Sequence, residues 1–336
     1  MALNITDTTY AGTFASYFWL PAAFGMDTLQ KGGVYVQDGI KKTHTIGRID
    51  FANPLQARTA TPTGSGTFTV DGRSLTPLDI MVYTEFNPRD YEAHWLAEQL
   101  SPTLLARELP VTAENYMMQV GLERAFEQIE LGLWQGSTTY TAAKGSAGNG
   151  QICFFDGFLK LMVNDSAVQK VSSPFALTAA VTDSSHYNIV DAFNALINLC
   201  ASNKKALLSR PTRYKRLKFF VSINTEQIYQ TYITTTLTFK GANTTEQGIN
   251  KFKGYEIIPL AGLPDDTILF CEGLDDVSSN LYVGMNSTED NNLQLQRLQA
   301  NSELFFLKGL MKFAVQYGFS EQVFLFTTLT SGSFNA

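Results

Sequence analysis

The stretch Thr112–Gly136, TAENYMMQVGLERAFEQIELGLWQG, constrains this chain more than any other. Met118, Leu122, Ala125, Ile129 and Leu133 recur at steps of four, three, four and four, which makes one apolar stripe of helical period. Thr112 is placed to cap the helix, Glu114 suits its positive end, and Gly136 follows Trp134-Gln135 as a stop. Gly121 and Gly132 each cost a little helix propensity without ending the pattern. A rod of this length spans roughly 35 Å, and the remaining segments have to be arranged around it. Glu123, Glu127 and Glu130 fall on a second ridge, expected to face water or a partner.

The arrangement is set by what brackets the rod. Residues 1–42 carry Tyr10, Phe14, Tyr17, Phe18, Trp19 and Phe24 in an irregular arm, and so many rings need a surface to bury them, on this chain or a neighbouring one. Residues 43–86 read as a long β-hairpin. Its outgoing part is THTIGRIDFANPLQARTA, its tip Thr61–Gly66, and its return Thr67–Val70, a turn at Asp71-Gly72, then Leu78–Phe86. A two-stranded ribbon this long is unstable alone in water and needs another surface. Asn87-Pro88 opens a helix to Leu100, and Ser101-Pro102 opens a second that Pro110 ends.

After the rod comes a Gly-rich polar loop, then the apolar Ile152–Met162. Asn188–Ala201 has the pattern of an amphipathic helix, with a second helix over Asn224–Thr234. Strands are expected at Arg216–Ile223, Phe252–Leu260, Asp266–Glu272, Leu281–Val283 and Gln322–Leu329, and Leu304–Gln316 is apolar on most sides. The class is α+β, with strands drawn from distant parts of the chain. With 44% hydrophobic and 17% charged residues among 336, the composition excludes a disordered chain, and a net charge of −6 gives no global sign of nucleic-acid binding. No run approaches the ~18 apolar residues of a membrane span. No basic region precedes the N-terminal aromatics, so a secretory leader is not expected.

Catalytic constellations are missing from the sequence. There is no G-x-S-x-G elbow, no phosphate loop and no dinucleotide fingerprint. The glycines of Gly145–Gly150 have the wrong spacing for phosphate. His44, His94 and His186 stand in no metal-ligand spacing, and Cys153, Cys200 and Cys271 read as three buried thiols. Asp265-Asp266 and Asp275-Asp276 read as turn residues rather than a calcium loop. No cofactor, metal or catalytic residue is expected. Seven cations lie within the fifteen residues Lys204–Lys218 and could grip phosphate, but they read as a solvated or inter-subunit salt-bridging face because no aromatic stacking platform is interleaved.

The order of these segments resembles the Hong Kong 97-type major capsid proteins of tailed bacteriophages. IELGLWQG at Ile129–Gly136 followed by FDGFL at Phe155–Leu159 is similar to the end of that family's spine helix and the segment beyond it. LKFFVS at Leu217–Ser222, Tyr229, FKGYEIIPL at Phe252–Leu260, PDDTILF at Pro264–Phe270 and NLYVG at Asn280–Gly284 resemble its axial-domain strands. Asn87–Leu105 is similar to capsid proteins of phages of Bacteroidota. The resemblance spans nearly the whole chain from about residue 43, and its specificity lies in the order of motifs.

The resemblance implies an N-arm (1–42), an extended loop (43–86), a peripheral domain (87–187) with spine helix 112–135, an axial domain (188–290) and a return to the peripheral domain (291–336). It implies a structural protein of the virion, assembled in the host cytoplasm. Its partners would be other copies of itself in hexamers and pentamers, a portal, scaffolding or decoration proteins, and packaged double-stranded DNA held by non-specific contact, with no membrane. Candidate assembly contacts are Phe18 and Trp19 in the arm, Arg48, Arg58, Gly64 and Arg73 in the hairpin, and Glu123, Glu127 and Glu130 as acidic counterparts. Some members crosslink through a loop lysine, but no lysine occurs between Lys42 and Lys144, so a non-covalent shell is expected. The second reading is an encapsulin-like compartment, a related fold that cages an enzyme, and the third is an enzyme with an unfamiliar site.

Overall fold

A computed structural model describes residues 7–11, 26–52, 55–64, 67–87, 111–180, 188–235, 250–286, 292–299 and 304–335. The expected helices over 88–100 and 101–109 lie outside the described residues, as do Phe18 and Trp19.

The spine helix runs over Val111–Gln135, which puts Thr112 inside its first turn. Leu122, Ala125, Ile129 and Leu133 are buried as the stripe requires, and Phe126 and Trp134 widen it. The Gly136 N–H closes the last turn on the Gly132 carbonyl at 2.9 Å. Only glycine fits there, because a Cβ at 136 would stand 2.5 Å from the Gly132 carbonyl oxygen and 2.6 Å from that of Phe155.

The helix lies on a six-stranded sheet built around Phe305–Tyr317, a strand of 13 residues. Leu78–Phe86, Asn292–Arg297 and Leu281–Met285 pair antiparallel with it. Tyr35–Gln37 joins Leu281–Met285 in parallel, and Asp7–Ala11 joins Asn292–Arg297 antiparallel. Alternate residues Leu307, Met311 and Phe313 point into the core, where the Phe313 ring meets Phe126 edge-on at 6.1 Å. Two expectations are corrected here. The arm is not irregular throughout, since Asp7–Ala11 and Tyr35–Gln37 are strands paired within this chain and Asp27–Gln30 is a short helix, while Phe14, Tyr17 and Phe24 lie outside the described residues. Leu78–Phe86 is not part of the hairpin, because pairing along the long strand gives it a half-buried sheet that the ribbon cannot offer.

The ribbon itself is His44–Ala52 against Thr67–Leu75, in register from His44↔Leu75 to Ala52↔Thr67. The expected turn at Asp71-Gly72 does not form, and the ladder continues with Gly72 opposite Gly47.

A second six-stranded sheet runs Gln169–Lys170, Phe324–Thr327, Thr267–Glu272, Leu217–Ser222, Tyr255–Leu260, Lys251–Phe252. The expected strand 252–260 is split by a tight turn at Lys253-Gly254, both at positive φ. Helices Ile189–Asn203 and Ile223–Thr235 pack on one face, with Phe193, Phe219, Phe252 and Phe270 stacked in the layer between. Asn188 caps the first of these helices, accepting from the N–H groups of Val190 and Asp191. The other face, through Phe220, Ile258, Leu260 and Leu269, meets Trp134 and the helix Phe158–Asn164. Burial on both sides explains why these strands are continuous apolar runs rather than alternating ones.

Candidate assembly surfaces

The ribbon leaves the body at Ile46 and Leu75, both buried. Beyond them the cross-strand register places Ile49, Phe68 and Val70 on one face, 64%, 64% and 71% exposed. Residues 55–64 are exposed throughout. Arg58 lies in this exposed stretch, and the space around Gly64 is open. Arg48 stands opposite Asp71 in the ladder, and its side chain lies outside the described residues.

Arg73 does not reach outward. Its Nη2 donates to Asp165 Oδ2 at 2.5 Å, and its guanidinium stacks 4.4 Å from the Tyr317 ring centroid. Burial works against the Arg73 charge, but the Asp165 carboxylate and Tyr317 more than restore it. Burial likewise opposes ionisation of Asp165, yet Arg73, the Ala167 N–H and the Tyr317 hydroxyl hold its carboxyl below the ordinary range. The expected pairing of Arg73 with the glutamate ridge is thus replaced by a pairing inside the chain.

The ridge is also divided. Glu123 is exposed and accepts from Gln119 at 2.8 Å, and Glu127 is exposed and pairs with Arg124 at 2.7 Å. Glu130 does not face water, being buried within its own chain at 5% exposed. Its carboxylate accepts from the Thr28 hydroxyl and, at 3.2 Å, from the Thr28 N–H, while Trp134 Nε1 donates to Thr28 Oγ1 at 2.8 Å. Burial raises the Glu130 pKa despite these donors. The surrounding contacts fasten residues 26–33 to the second sheet and to the loop after Thr267–Glu272: Lys31 Nζ donates to the Pro259 carbonyl at 2.7 Å, and the Gly33 N–H donates to Asp275 Oδ1 at 2.6 Å. Helical periodicity alone cannot find this, because the partner of Glu130 lies 102 residues earlier.

The Gly-rich loop turns on Gly145 and Gly148, both at positive φ. It begins beside Thr138, whose N–H and hydroxyl donate to Asp156 Oδ1 at 2.8 and 2.7 Å. Lys160 Nζ donates to the same oxygen at 2.7 Å. Burial raises the Asp156 pKa, but these three donors outweigh it and bring it below the ordinary range. A groove of about 1130 Å³ opens between this loop, the spine helix and Leu78–Phe86, lined by Met81, Val120, Phe154, Leu307 and Met311 among others.

Within Lys204–Lys218 three of the seven cations form ion pairs inside this chain, not between subunits. Lys204 pairs with Glu321 at 2.5 Å, Arg210 with Glu272, and Lys218 with Glu256 at 3.4 Å. Tyr214 interrupts the run after all, and Arg213 stacks 4.3 Å from its ring centroid. The aspartate pairs sit in turns but also reach remote segments, Asp265 accepting from the Ser222 hydroxyl and Asp266 from the Leu177 N–H, while Asp276 accepts locally from the Ser278 N–H. The three thiols are free and buried, with Cys200 pushed up to about 12 by burial. Among the described residues no group of three or more His, Cys, Asp or Glu gathers as a metal would require, and no helix is long and apolar enough to cross a membrane.

An exposed ribbon, a spine helix on a sheet and a second sheet sandwiched between helices make up the described architecture. No protein-family model matches the sequence, and no curated protein matches it. Solved structures do. The satellite phage P4 procapsid, determined with its size determination protein Sid, contains a chain 10% identical over 93% of this chain and 98% of that one, with a TM-score of 0.57. The capsid of the native GTA particle matches at 12% identity over 87% of both chains, TM-score 0.53. The capsid of Myoviridae phage XM1 matches at 12% identity over 91% and 92%, TM-score 0.51. The chain has the Hong Kong 97-type capsid fold that the order of its motifs resembles.

Proposed function

We propose that this chain is the major subunit of an icosahedral phage shell, self-assembling into hexamers and pentamers that enclose double-stranded DNA. The observation that carries the reading is the ribbon. Its apolar face of Ile49, Phe68 and Val70 is exposed on its own chain, and an exposed apolar face on a two-stranded ribbon is a liability unless something covers it. A neighbouring copy supplies that cover, and the groove along Leu78–Phe86, where Met81, Tyr83 and Val120 are exposed over a buried apolar floor, is a surface suited to receive it. Each contact needs only modest strength, because many act together in a closed shell. The likeness to shell-forming chains over most of the length supports the same conclusion.

The peripheral domain (87–187, with 291–336) and the axial domain (188–290) are assigned by analogy with that fold. Arg58 at the ribbon's exposed end and Glu123 and Glu127 on the spine helix remain the proposed polar contacts between copies. DNA contact is non-specific and lies on the inner wall. Portal, scaffolding or decoration proteins would join at the vertices and surfaces of the shell, and the mature particle belongs to the virion.

Electron microscopy of the purified protein, with the ultraviolet absorbance ratio taken on the same fraction, tests this. Closed shells, empty after recombinant expression and rich in nucleic acid when taken from virions, are expected. Shells filled with protein cargo would instead mean an encapsulin-like compartment, and a small particle that never assembles would overturn the shell reading.

A further inference from the structure

We propose that Arg73 is a positioning residue that sets the direction in which the ribbon leaves the body, acting within its own chain. The consequence for assembly rests on the shell reading above, but the effect on ribbon direction does not. Ile46 and Leu75 anchor the ribbon's root in the core, whereas every described side chain from Gly47 and Gly72 outward is exposed. Arg73 stands at this boundary, opposite Ile46 in the ladder. Its guanidinium is held at 2.5 Å by Asp165 and lies over the Tyr317 ring. Asp165 ends the helix Phe158–Asn164 and also accepts from the Tyr317 hydroxyl at 2.8 Å and the Ala167 N–H at 2.8 Å. Tyr317 ends the long central strand. One planar cation thus ties the ribbon to two fixed elements, by a stack and a charge-assisted hydrogen bond that an ammonium cannot make together. A second, weaker tie runs from Gln316 Nε2 to the Ser74 carbonyl at 3.2 Å.

Leverage makes this tie matter. At about 3.3 Å per residue, the strand from Arg73 back to Thr67 extends about 20 Å, and a tilt of about 10° at the root moves its end by about 3–4 Å. That exceeds the ~1 Å tolerance within which apolar side chains stay in contact. A ribbon aimed wrongly would miss its neighbour even though both surfaces were intact.

The three native thiols are buried, so nitroxide labels can be placed at Thr69→Cys on the ribbon and Ser202→Cys on the helix Ile189–Asn203 of the full chain. Electron–electron double resonance below the assembly concentration then reads the ribbon's angular spread. Arg73→Ala and Arg73→Lys should each widen the distance distribution by about twofold, and Arg73→Ala should slow shell formation by about tenfold or more while its thermal midpoint falls by only about 2–4 °C. The charge-swapped pair Arg73→Glu with Asp165→Arg should recover most of the assembly rate lost by Arg73→Glu alone. An unchanged distribution in Arg73→Ala, or rescue of Arg73→Glu by Glu123→Arg or Glu127→Arg instead of Asp165→Arg, overturns the proposal. A widened distribution in a protein whose wild type never forms shells refutes the shell reading and leaves the role of Arg73 standing.

Discussion

Along Thr267–Glu272 all six residues are buried, whereas along Thr67–Leu75 Leu75 alone is buried. Both are well-formed strands. The first has paired neighbours on both edges, helices over one face and the spine-helix core on the other. The second has one partner strand, and beyond its root its described side chains are exposed on both faces. Backbone pairing is therefore not what separates them. The second sheet draws its stability from its own chain, and the ribbon has to draw it from elsewhere.

Substitutions can break this contrast in a graded way. The largest effect on the isolated subunit is expected at Phe270, fully buried with ring centroids of Phe219 and Tyr255 at 4.4 and 5.3 Å. Phe270→Ala should cost about 3–5 kcal/mol in chemical denaturation and remove assembly by removing the fold. Lys160→Met comes next, leaving Asp156 with only the two Thr138 donors, at about 1–3 kcal/mol. Because the folded-state pKa of Asp156 is depressed, its contribution is present above the ordinary carboxylate range and fades as pH falls through the folded value. Lys160→Met should therefore start to lose stability at a higher pH than wild type in an acid titration followed by circular dichroism.

Glu130 carries the opposite sign. Its folded-state pKa is raised, so it favours the folded state in acid, and that contribution is lost as pH rises through the folded value. Glu130→Gln should shift stability by no more than about 1 kcal/mol at neutral pH and flatten that part of the pH profile. At the bottom of the scale, Ile49→Asp with Val70→Asp should alter subunit stability by about 0.5 kcal/mol or less, yet abolish shell formation in light scattering. Arg58→Glu should act in the same direction more weakly. The shell should also dissolve to monomer in boiled detergent gels, since the ribbon carries no lysine, and a covalent ladder would contradict that.

The self-sufficient region was the more legible one in the sequence. Leu122, Ala125, Ile129 and Leu133 announce a buried face by spacing alone, and runs such as LKFFVS and TILFCE announce strands buried on both sides. What escaped depends on distance along the chain. Glu130 looks like its neighbours Glu123 and Glu127 until Thr28 folds back over it. Leu78–Phe86 continues a hairpin pattern until Phe305–Tyr317, more than 200 residues later, offers a better partner. That long strand carried its own signal, since Lys308 and Lys312 share one face by alternation, but the same spacing of four also suits a helix. Among the candidate contacts, residue type marked Arg58, Glu123 and Glu127 as exposed and charged, while nothing in the sequence tells Arg73 from Arg58.

The dependence of the ribbon on other copies is tested most directly by amide hydrogen exchange, measured on free subunits and assembled shells. The second sheet should be equally protected in both. The ribbon, held by a single ladder, should exchange quickly in the free subunit and slow by about a hundredfold or more in the shell. A ribbon equally protected in the free subunit, or still unprotected in the shell, would mean that its exposed face has no partner copy to cover it.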